Sequence, residues 1–447
     1  MKRITQPAFV ASREAALAQL SLVVPDAYAK TRNFLDGAVT YLSPWITHGF
    51  LDTREAAIEL RKKFELDFEH KMIFELGWRE FFRHVHGELG DGILKDIRRP
   101  TFNGRYGNAM PLDVLEARTG VQAIDEAVKH LYRTGYLHNH MRMWLASYVV
   151  HLRKVHWRTG ADWMYAHLLD GDLASNHLSW QWVAGTFSHK PYVFNAENVK
   201  KYASHLDCSG TVIDTDYAEL GAMAASGRDC GPEENAPTVG IQVPKTFVGY
   251  GAWMDARVSN ADGVQTSASI EKSELKTKRV KGECSAADLG VDELVSGVKS
   301  MQLIHPWDLK ACGAVFDTKQ SNGGSLKVGV ILEEFHRKFP WSNARWKFVM
   351  DCMAEHCDLI WVVEKAGLNS VRNTLKDFAA HGGIIKMKEC LNPAYAEALN
   401  SWPVERQGVE TILPNPSMFQ QSFSRFYSKA TSRAGSLEIA LGLEHQS

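Results

Sequence analysis

The spacing of apolar residues is helical through the first 204 positions. Segments such as TREAAIELRKKF and AIDEAVKHLYR repeat apolar residues every three to four positions, and helix-breaking residues are few between them. The pattern predicts a mostly helical domain over residues 1–204.

Residues 205–298 have a different composition. The stretches SGTVIDTDY, SGRDCGPEENAP and SNADGVQTSAS are rich in Gly, Ser and Asp, and the charged run EKSELKTKRVKGE follows them. Such a composition favours a long linker or a poorly packed insertion over a compact domain.

From Met301 onward, short apolar runs alternate with helical patterns. MQLIHPW, KVGVILEEF, DLIWVVE and GIIKMKE read as strands, and WKFVMDCMAEHC and LNSVRNTLKDFAAHGG read as helices. This alternation predicts a small α/β domain with parallel strands over residues 299–435. The region contains neither GxGxxG nor GxxxxGK[ST], so the sequence does not support a nucleotide site there. The predicted fold is therefore an all-α helical domain, a long linker and a small C-terminal α/β domain.

Composition narrows the class of protein only slightly. The 447 residues are 45% hydrophobic and 23% charged, as in globular proteins, and 51 basic residues balance 52 acidic ones. Any contact with nucleic acid would thus come from a local patch. No apolar run is long enough to cross a bilayer, and the first residues lack the apolar core of a signal peptide. The seven scattered cysteines are typical of reduced thiols in the cytoplasm and argue against a metal or iron–sulfur site.

Two short motifs near the N-terminus contain candidate binding residues. In VTYLSP, Ser43 and Pro44 form a helix start, and free N–H groups beside hydroxyls can bind phosphate, although most Ser-Pro starts bind nothing. In ELGWREF, Glu75 and Arg79 lie four apart on one helical face with Trp78 beside them. Taken alone, an ion pair on a solvated face is the more ordinary interpretation.

A third cluster runs through residues 134–182, as TGYLHNHMRMWLASY, HLRKVHW and LLDGDLASNHLSWQW. No acidic residue lies between Glu126 and Asp162, whereas Lys, Arg and His are frequent there. A basic, aromatic-rich stretch suits a phosphate backbone, although a surface balanced by acids elsewhere accounts equally for any single residue. The turn Asp170-Gly171-Asp172 is consistent with a helix cap or a metal turn, and no further carboxylates cluster near it.

Together these motifs resemble the FAD-binding domain of the photolyase and cryptochrome family over residues 20–204. TGYLHNHMRM followed by LLDGDLASNHLSWQW carries the resemblance most specifically, and GWREFF and LSPWITHG agree upstream. The α/β domain that usually precedes this domain in the family is not found there. The α/β pattern lies at the other end of the chain instead.

The resemblance implies FAD deep in a helical bundle and a role for each matching residue. The implied cofactor residues are Tyr28, Thr40, Leu42, Ser43, Arg79, Asn139, Arg142, Asp170, Asp172 and Asn176. The implied pocket for a cyclobutane pyrimidine dimer consists of Glu75, Trp78, Asn139, Met143 and Trp182. Trp180 and Trp157 match an electron-transfer chain, and the implied DNA contacts are Arg32, His140, Arg153 and Lys154. Asn176 stands where photolyases place Asn near flavin N5, which favours repair over signalling.

Several positions depart from the family's pattern. Val39 and Tyr41 replace a Thr and an Arg of the phosphate motif, so we expect weaker FAD binding. His140 replaces an Arg, so we expect weaker, more pH-dependent DNA binding. The position of the outer tryptophan falls on Gly104, with Tyr106 close by. We therefore expect slow photoreduction, or a path that ends at a tyrosine or passes through Trp144 or Trp163.

The favoured function is light-driven repair of cyclobutane pyrimidine dimers in single- or double-stranded DNA, by electron transfer from excited reduced FAD. The alternative is a cryptochrome-like blue-light receptor with the C-terminal domain as its output module. A flavoprotein that binds DNA or a protein with little photochemistry is a third interpretation, supported by the altered phosphate motif.

Overall fold

The computed structural model describes residues 6–100, 102–231, 239–259, 276–285, 287–290, 297–313 and 324–443. A helical layer forms the first half of the described chain. Its helices are α1 Arg13–Ser21, α2 Pro25–Thr31, α3 Ser43–Thr47, α4 Thr53–Arg61, α5 Lys71–Leu89, α6 Leu112–Leu115, α7 Gln122–Thr134, α8 Asn139–Ser147, α9 Trp157–His167, α10 Leu173–Ala184, α11 Ala196–Tyr202 and α12 Tyr217–Ala225. A 3₁₀ turn follows α5 at Gly90–Leu94, and a π-helical turn follows α8 at Tyr148–Leu152.

Short polar side chains and glycines set the ends of these helices. Asp52 accepts a hydrogen bond from the backbone of Glu55 and caps α4, and Asp172 caps α10 in the same way through Ser175. Gly185 ends α10 in the left-handed conformation with φ of 82°, which glycine adopts without a Cβ penalty.

A six-stranded parallel sheet forms the second layer, as the alternating pattern predicted. The strands are β2 Thr277–Val280, β3 Val298–Ile304, β4 Gly324–Leu332, β6 Leu359–Val363, β7 Ile384–Lys388 and β8 Glu405–Gln407, in the order β2-β6-β4-β3-β7-β8. Every residue of β6 is buried, as in sheets covered on both faces. A separate antiparallel pair joins β1 Thr246–Phe247 to β5 Trp341–Ser342.

Helices accompany these strands and continue beyond them. They are α13 Tyr250–Ser259, α14 Lys310–Gly313, α15 Glu333–Lys338, α16 Asn343–His356, α17 Leu368–Ala380, α18 Tyr395–Ser401, α19 Phe423–Ala434 and α20 Leu437–Leu441. No helix of the described ranges is both long and apolar enough to cross a bilayer.

The segment expected to be a linker contributes to the packed structure. Helices α12 and α13 and strands β1 and β2 lie within residues 205–298, and β2 pairs with β6 at the edge of the sheet. Tyr250, Trp253 and Val280 are buried, because these few apolar residues pack against the sheet despite the polar stretches around them. The remaining part of the expected linker includes residues 232–238, 260–275 and 291–296, which lie outside the described residues.

The helical layer and the sheet layer share one hydrophobic core. Trp45 and Leu178 of the helical layer belong to the same buried cluster as Val330 and Trp346 of the sheet layer. Polar contacts cross the boundary as well: the His48 ring nitrogens lie 2.7 Å from the Pro306 carbonyl oxygen and 2.9 Å from that of Leu169. The sheet layer is therefore packed against the helices.

Candidate functional site

A cavity of about 470 Å³ opens among α2, α5, α8 and α10 of the helical layer. All five residues of the implied dimer pocket line it, namely Glu75, Trp78, Asn139, Met143 and Trp182. They come from three helices that are distant in sequence. The structure thus brings together side chains that the motifs placed separately.

Most of the implied cofactor residues line the same cavity. They are Tyr28, Thr40, Ser43, Arg79, Asn139, Arg142, Asp170 and Asn176. Leu42 and Asp172 do not: Leu42 is buried in the core, and Asp172 caps α10. A direct contact of these two residues with the cofactor stays a prediction.

The acidic turn, residues 170–172, supplies the most specific polar feature of the cavity. One carboxylate oxygen of Asp170, Oδ2, accepts hydrogen bonds from Ser43 Oγ at 2.6 Å and from Arg142 Nη2 at 2.7 Å. The other oxygen, Oδ1, is buried without a partner among the described residues. A buried acceptor of this kind requires a donor, and the hydroxyl and N–H groups of FAD are suitable donors. The residues present thus fit the cofactor.

Helix α10 forms one wall of the cavity. Asn176 is nearly buried and donates from Nδ2 to the Ala161 carbonyl oxygen at 2.9 Å. Trp180 lies one turn further and packs closely on Gly160 of α9, where an added Cβ would meet the indole at 2.3 Å. Since Asp172 caps the start of α10, the acidic turn also sets the position of this wall. Burial raises the pKa of the Asp172 carboxyl, but Arg79 and hydrogen bonds from Ser175 outweigh it and lower the pKa below its ordinary value.

Other pocket residues combine charged and apolar character. Glu75 lies 2.9 Å from Lys71 Nζ and 3.4 Å from Arg32 Nε, so its carboxylate is held between two cations. Asn139 is exposed, with Nδ2 3.3 Å from Met143 Sδ. Trp182 is 37% exposed, which leaves much of its ring free for a ligand.

His140, an expected DNA contact, lines the cavity and is buried. Burial, together with the nearby Arg32 guanidinium, lowers the pKa of His140 to about 4. The side chain is therefore neutral at pH 7, and Arg32 is the cation at this wall. A buried, neutral His140 carries no permanent charge, whereas an arginine at this position would carry one.

Arg153 and Lys154, the other two expected DNA contacts, are both engaged by groups of the protein itself. Arg153 is buried and binds Asp113 and Asp229 at 2.5 and 2.8 Å. Lys154 Nζ donates to the carbonyl oxygens of His151, Met223 and Ala224. These cations hold the end of the π-helical turn and α12 together, which the pattern of basic residues did not indicate.

The implied electron-transfer residues lie in a hydrophobic cluster within the helical layer, separate from the core that this layer shares with the sheet. Trp180 and Trp157 are both 2% exposed, but only Trp180 lines the cavity. Trp157 donates from Nε1 to Asp96 at 2.5 Å. The His156 ring is 5.6 Å from Trp157 and 6.1 Å from Tyr106, so Tyr106 lies near the outer end of the expected path.

The altered phosphate motif has an unusual backbone. Tyr41 adopts a φ of 55°, in the left-handed region that non-glycine residues seldom occupy. Its ring lies 5.2 Å from that of Tyr136, which also lines the cavity and lies 5.5 Å from the Arg142 guanidinium. Tyr41, at the position where the resemblance leads one to expect an arginine, is thus paired with a second aromatic ring.

A second, smaller cavity of about 120 Å³ lies between the two layers. It is bordered by Trp307 and Lys388 near the carboxyl ends of β3 and β7, and by Asp172 and His86 of the helical layer. Arg79 lines both cavities and so separates them. The described residues contain no group of three or more His, Cys, Asp or Glu that could hold a metal ion.

Comparisons with known proteins agree with this site. Residues 72–237 match the model of the family described as the FAD binding domain of DNA photolyase. The chain is 30% identical over 210 residues to a cryptochrome DASH of rice, covering 45% of this chain and 36% of the relative. It is 34% identical over 150 residues to a deoxyribodipyrimidine photo-lyase of Streptomyces griseus, covering 33% and 32%. The match thus spans about a third of the length of these curated relatives.

Among solved structures, a cryptochrome of Synechocystis is similar, with 24% identity and a TM-score of 0.42 over 53% of this chain and 55% of that one. A photolyase of Sulfolobus tokodaii with two FAD molecules is similar at 26% identity and a TM-score of 0.39, over 50% and 52%.

Proposed function

The chain contains an FAD-binding domain of the photolyase and cryptochrome family, and from this premise we propose that it repairs cyclobutane pyrimidine dimers in DNA under light. One observation carries the proposal: the five implied dimer-pocket residues and eight implied cofactor residues line one cavity. A dimer and a flavin held by these two sets of residues would share one cavity.

Ser43, Arg142 and Asp170 would hold the cofactor from one side, and Asn176 of α10 from the other. Bound and reduced, FAD supplies the electron that a dimer needs to split when light is absorbed. The protein's own task is then to bind, orient and exclude water. Arg142, bonded to Asp170, adds a fixed positive charge that favours an anionic reduced flavin.

The dimer would be held by packing and by one carboxyl group. Trp78 and Trp182 offer aromatic surface to a pyrimidine dimer, two adjacent bases of one strand, that is extruded from the helix. Glu75, positioned by Lys71 and Arg32, would hydrogen-bond a pyrimidine edge. Because a dimer splits on receiving an electron, the pocket requires no dedicated general acid.

We propose that binding to undamaged backbone is weak. Arg153 and Lys154 are engaged inside the protein, and His140 is neutral at pH 7. A dimer costs less to extrude from single-stranded DNA, so single strands are included as a substrate.

We also propose a cytoplasmic location, a reducing compartment that suits the seven cysteines, none of which forms a disulfide.

The second candidate function is blue-light reception. It is favoured by the direct contact of a cavity residue, Trp78, with Phe423 of the C-terminal region, which would transmit a change in the cavity. Light-induced change in proteolysis of the C-terminal region, without repair, would support this candidate.

Repair of a dimer-containing oligothymidylate tests the proposal. Chemically reduced, FAD-loaded protein should restore thymine absorbance under blue light and not in the dark. If flavin binds and is photoreduced but no thymine is recovered, the repair function is wrong and light reception is supported instead. Protein that binds no FAD would exclude both.

A further inference from the structure

Arg345 is a fully buried arginine of the sheet layer that reaches the acidic turn of the helical layer. It lies near the start of α16, 0% exposed. Its Nη1 donates to the Tyr165 carbonyl oxygen at 3.0 Å, and its Nη2 donates to that of Gly171 at 2.5 Å. The guanidinium therefore binds the chain at the end of α9 and in the turn that leads into α10.

Aromatic rings fix the guanidinium in place. It lies 4.5 Å from the ring centroid of Tyr165 and 4.1 Å from that of Trp341. Cation–π contacts of a desolvated arginine are stronger than those at a surface. Burial lowers the pKa of Arg345, while Tyr165, Asp170 and Asp172 act to raise it. An arginine nevertheless keeps its charge in proteins, so a cation stands beside the two carboxylates.

The turn itself is shaped around this side chain. A Cβ on Gly171 would meet Arg345 Nη1 at 2.4 Å and the Tyr165 carbonyl oxygen at 2.8 Å. A residue other than glycine would thus displace the guanidinium or the turn. The φ of Gly171 is not in the left-handed region, so the backbone conformation does not require glycine here. Glycine is needed because the guanidinium approaches its Cα so closely.

Both residues that flank Gly171 act on the cavity. Asp170 lines the cavity and holds Ser43 and Arg142 through Oδ2, and its Oδ1 is buried without a partner among the described residues. Asp172 caps α10, whose residues Asn176 and Trp180 line the cavity. A shift of Gly171 would therefore move the acceptor oxygen and the α10 wall together.

We propose that Arg345 is a positioning residue of the FAD site, through which the sheet layer fixes the acidic turn and so completes the cofactor cavity. The inference rests on the proposed function only in requiring that the cavity binds FAD. The residues that line the cavity all belong to the helical layer. Through Arg345 the sheet layer thus also contributes to cofactor binding, from behind the cavity wall.

The test compares FAD affinity in the full-length chain and its variants. In Arg345→Met we expect the FAD dissociation constant to rise by about tenfold or more, as for the loss of a charged hydrogen bond. Arg345→Lys keeps the charge but loses the two-pronged contact, and we expect an intermediate rise. Arg337→Met removes an exposed arginine of the same layer and should stay within about twofold of wild type. Affinities are compared at a temperature where circular dichroism shows every apo variant folded.

A folded Arg345→Met variant that binds FAD within about twofold of wild type would overturn the inference. Hydrogen exchange on wild type decides the matter if the variants do not fold. Added FAD should slow exchange in residues 343–348 as well as in α10, although residues 343–348 do not line the cavity. Protection of α10 alone would contradict the inference. Wild-type protein that binds no FAD would instead refute the proposed function.

Discussion

The indole of Trp78 lies flat on the ring of Phe423, with centroids 3.9 Å apart and planes inclined by 12°. Phe423 begins α19, near the C-terminal end of the described chain, and its ring also meets the edge of Phe74 at 4.8 Å. A residue of the cavity wall is thus supported from behind by an element far away in sequence. The position of Trp78 in the cavity wall is therefore supported by this stack.

We expect Phe423→Leu to weaken dimer binding while leaving FAD bound. The substitution keeps an apolar side chain but removes an aromatic stack worth about 0.5–1.5 kcal/mol, so Trp78 loses its fixed orientation. The dissociation constant for a dimer-containing oligonucleotide should rise by up to roughly tenfold. Phe419→Leu is the matched control, because Phe419 packs near His84 and not on Trp78. Equal losses in both variants would show that the stack does not orient Trp78.

We expect Glu75→Ala to retain FAD and to lose most of the repair. A hydrogen bond to a charged group contributes about 1.5–3 kcal/mol, so binding of the dimer should weaken by roughly tenfold or more. Repair per absorbed photon and dimer affinity are measured on the same preparation. Glu59→Ala, which removes a carboxylate paired with Lys62 outside the cavity, should behave as wild type. Full repair in Glu75→Ala would exclude Glu75 from the pocket.

The residues named by the motifs line one cavity because they recur on a few helices. Glu75 and Trp78 share one helix, Asn139 and Met143 a second, and Trp182 a third, so the local spacing within each motif places its residues on the face that lines the cavity. Contacts between distant segments carry no such local signal.

Arg153 illustrates this limit. Its neighbours in sequence are basic, yet its partners Asp113 and Asp229 lie 40 and 76 residues away. Arg345 and Phe423 reach the site only because the sheet layer packs on the helices, and this packing has no local sequence signal. Composition alone also predicted a linker in the segment where α13 and β2 form part of the sheet layer.

We expect Trp157→Phe to slow photoreduction of oxidised flavin and to leave repair by chemically reduced protein intact. Phenylalanine is much harder to oxidise than tryptophan, and it lacks the N–H group that the Trp157 indole donates to Asp96. Trp163→Phe tests the alternative path through Trp163, which packs on Tyr132 and His167. Photoreduction that is unchanged in Trp157→Phe but slowed in Trp163→Phe would place the electron path elsewhere.

Glu80 makes the stability of the protein dependent on pH. Its carboxyl is buried and accepts hydrogen bonds from Thr53 Oγ1 at 2.6 Å and from the backbone of Ile412 and Leu413 at 2.8 and 2.9 Å. Burial raises its pKa from 4.5 to about 7. Stability from the protonated carboxyl is therefore fully present below about pH 4.5 and is lost as the pH rises through about 7.

The free energy of unfolding should thus fall between pH 5 and 8 more steeply in wild type than in Glu80→Gln, by on the order of 3 kcal/mol. Buried histidines act in the opposite direction: burial lowers the pKa of His86 to about 4, so only the difference between the two proteins is informative. Urea unfolding at each pH measures it. Parallel curves would show that Glu80 has the same pKa in the folded and unfolded states.

A light-dependent repair assay tests most directly whether the protein repairs cyclobutane pyrimidine dimers. Reduced, FAD-loaded protein is mixed with dimer-containing oligothymidylate, single-stranded and in a duplex, and thymine absorbance is followed under blue light and in the dark, beside Glu75→Ala. We expect recovery only in the light, with single strands repaired at least as well as duplexes and with little recovery in Glu75→Ala. Flavin that is bound and reduced, yet leaves the dimers intact in both kinds of DNA, would contradict the repair function.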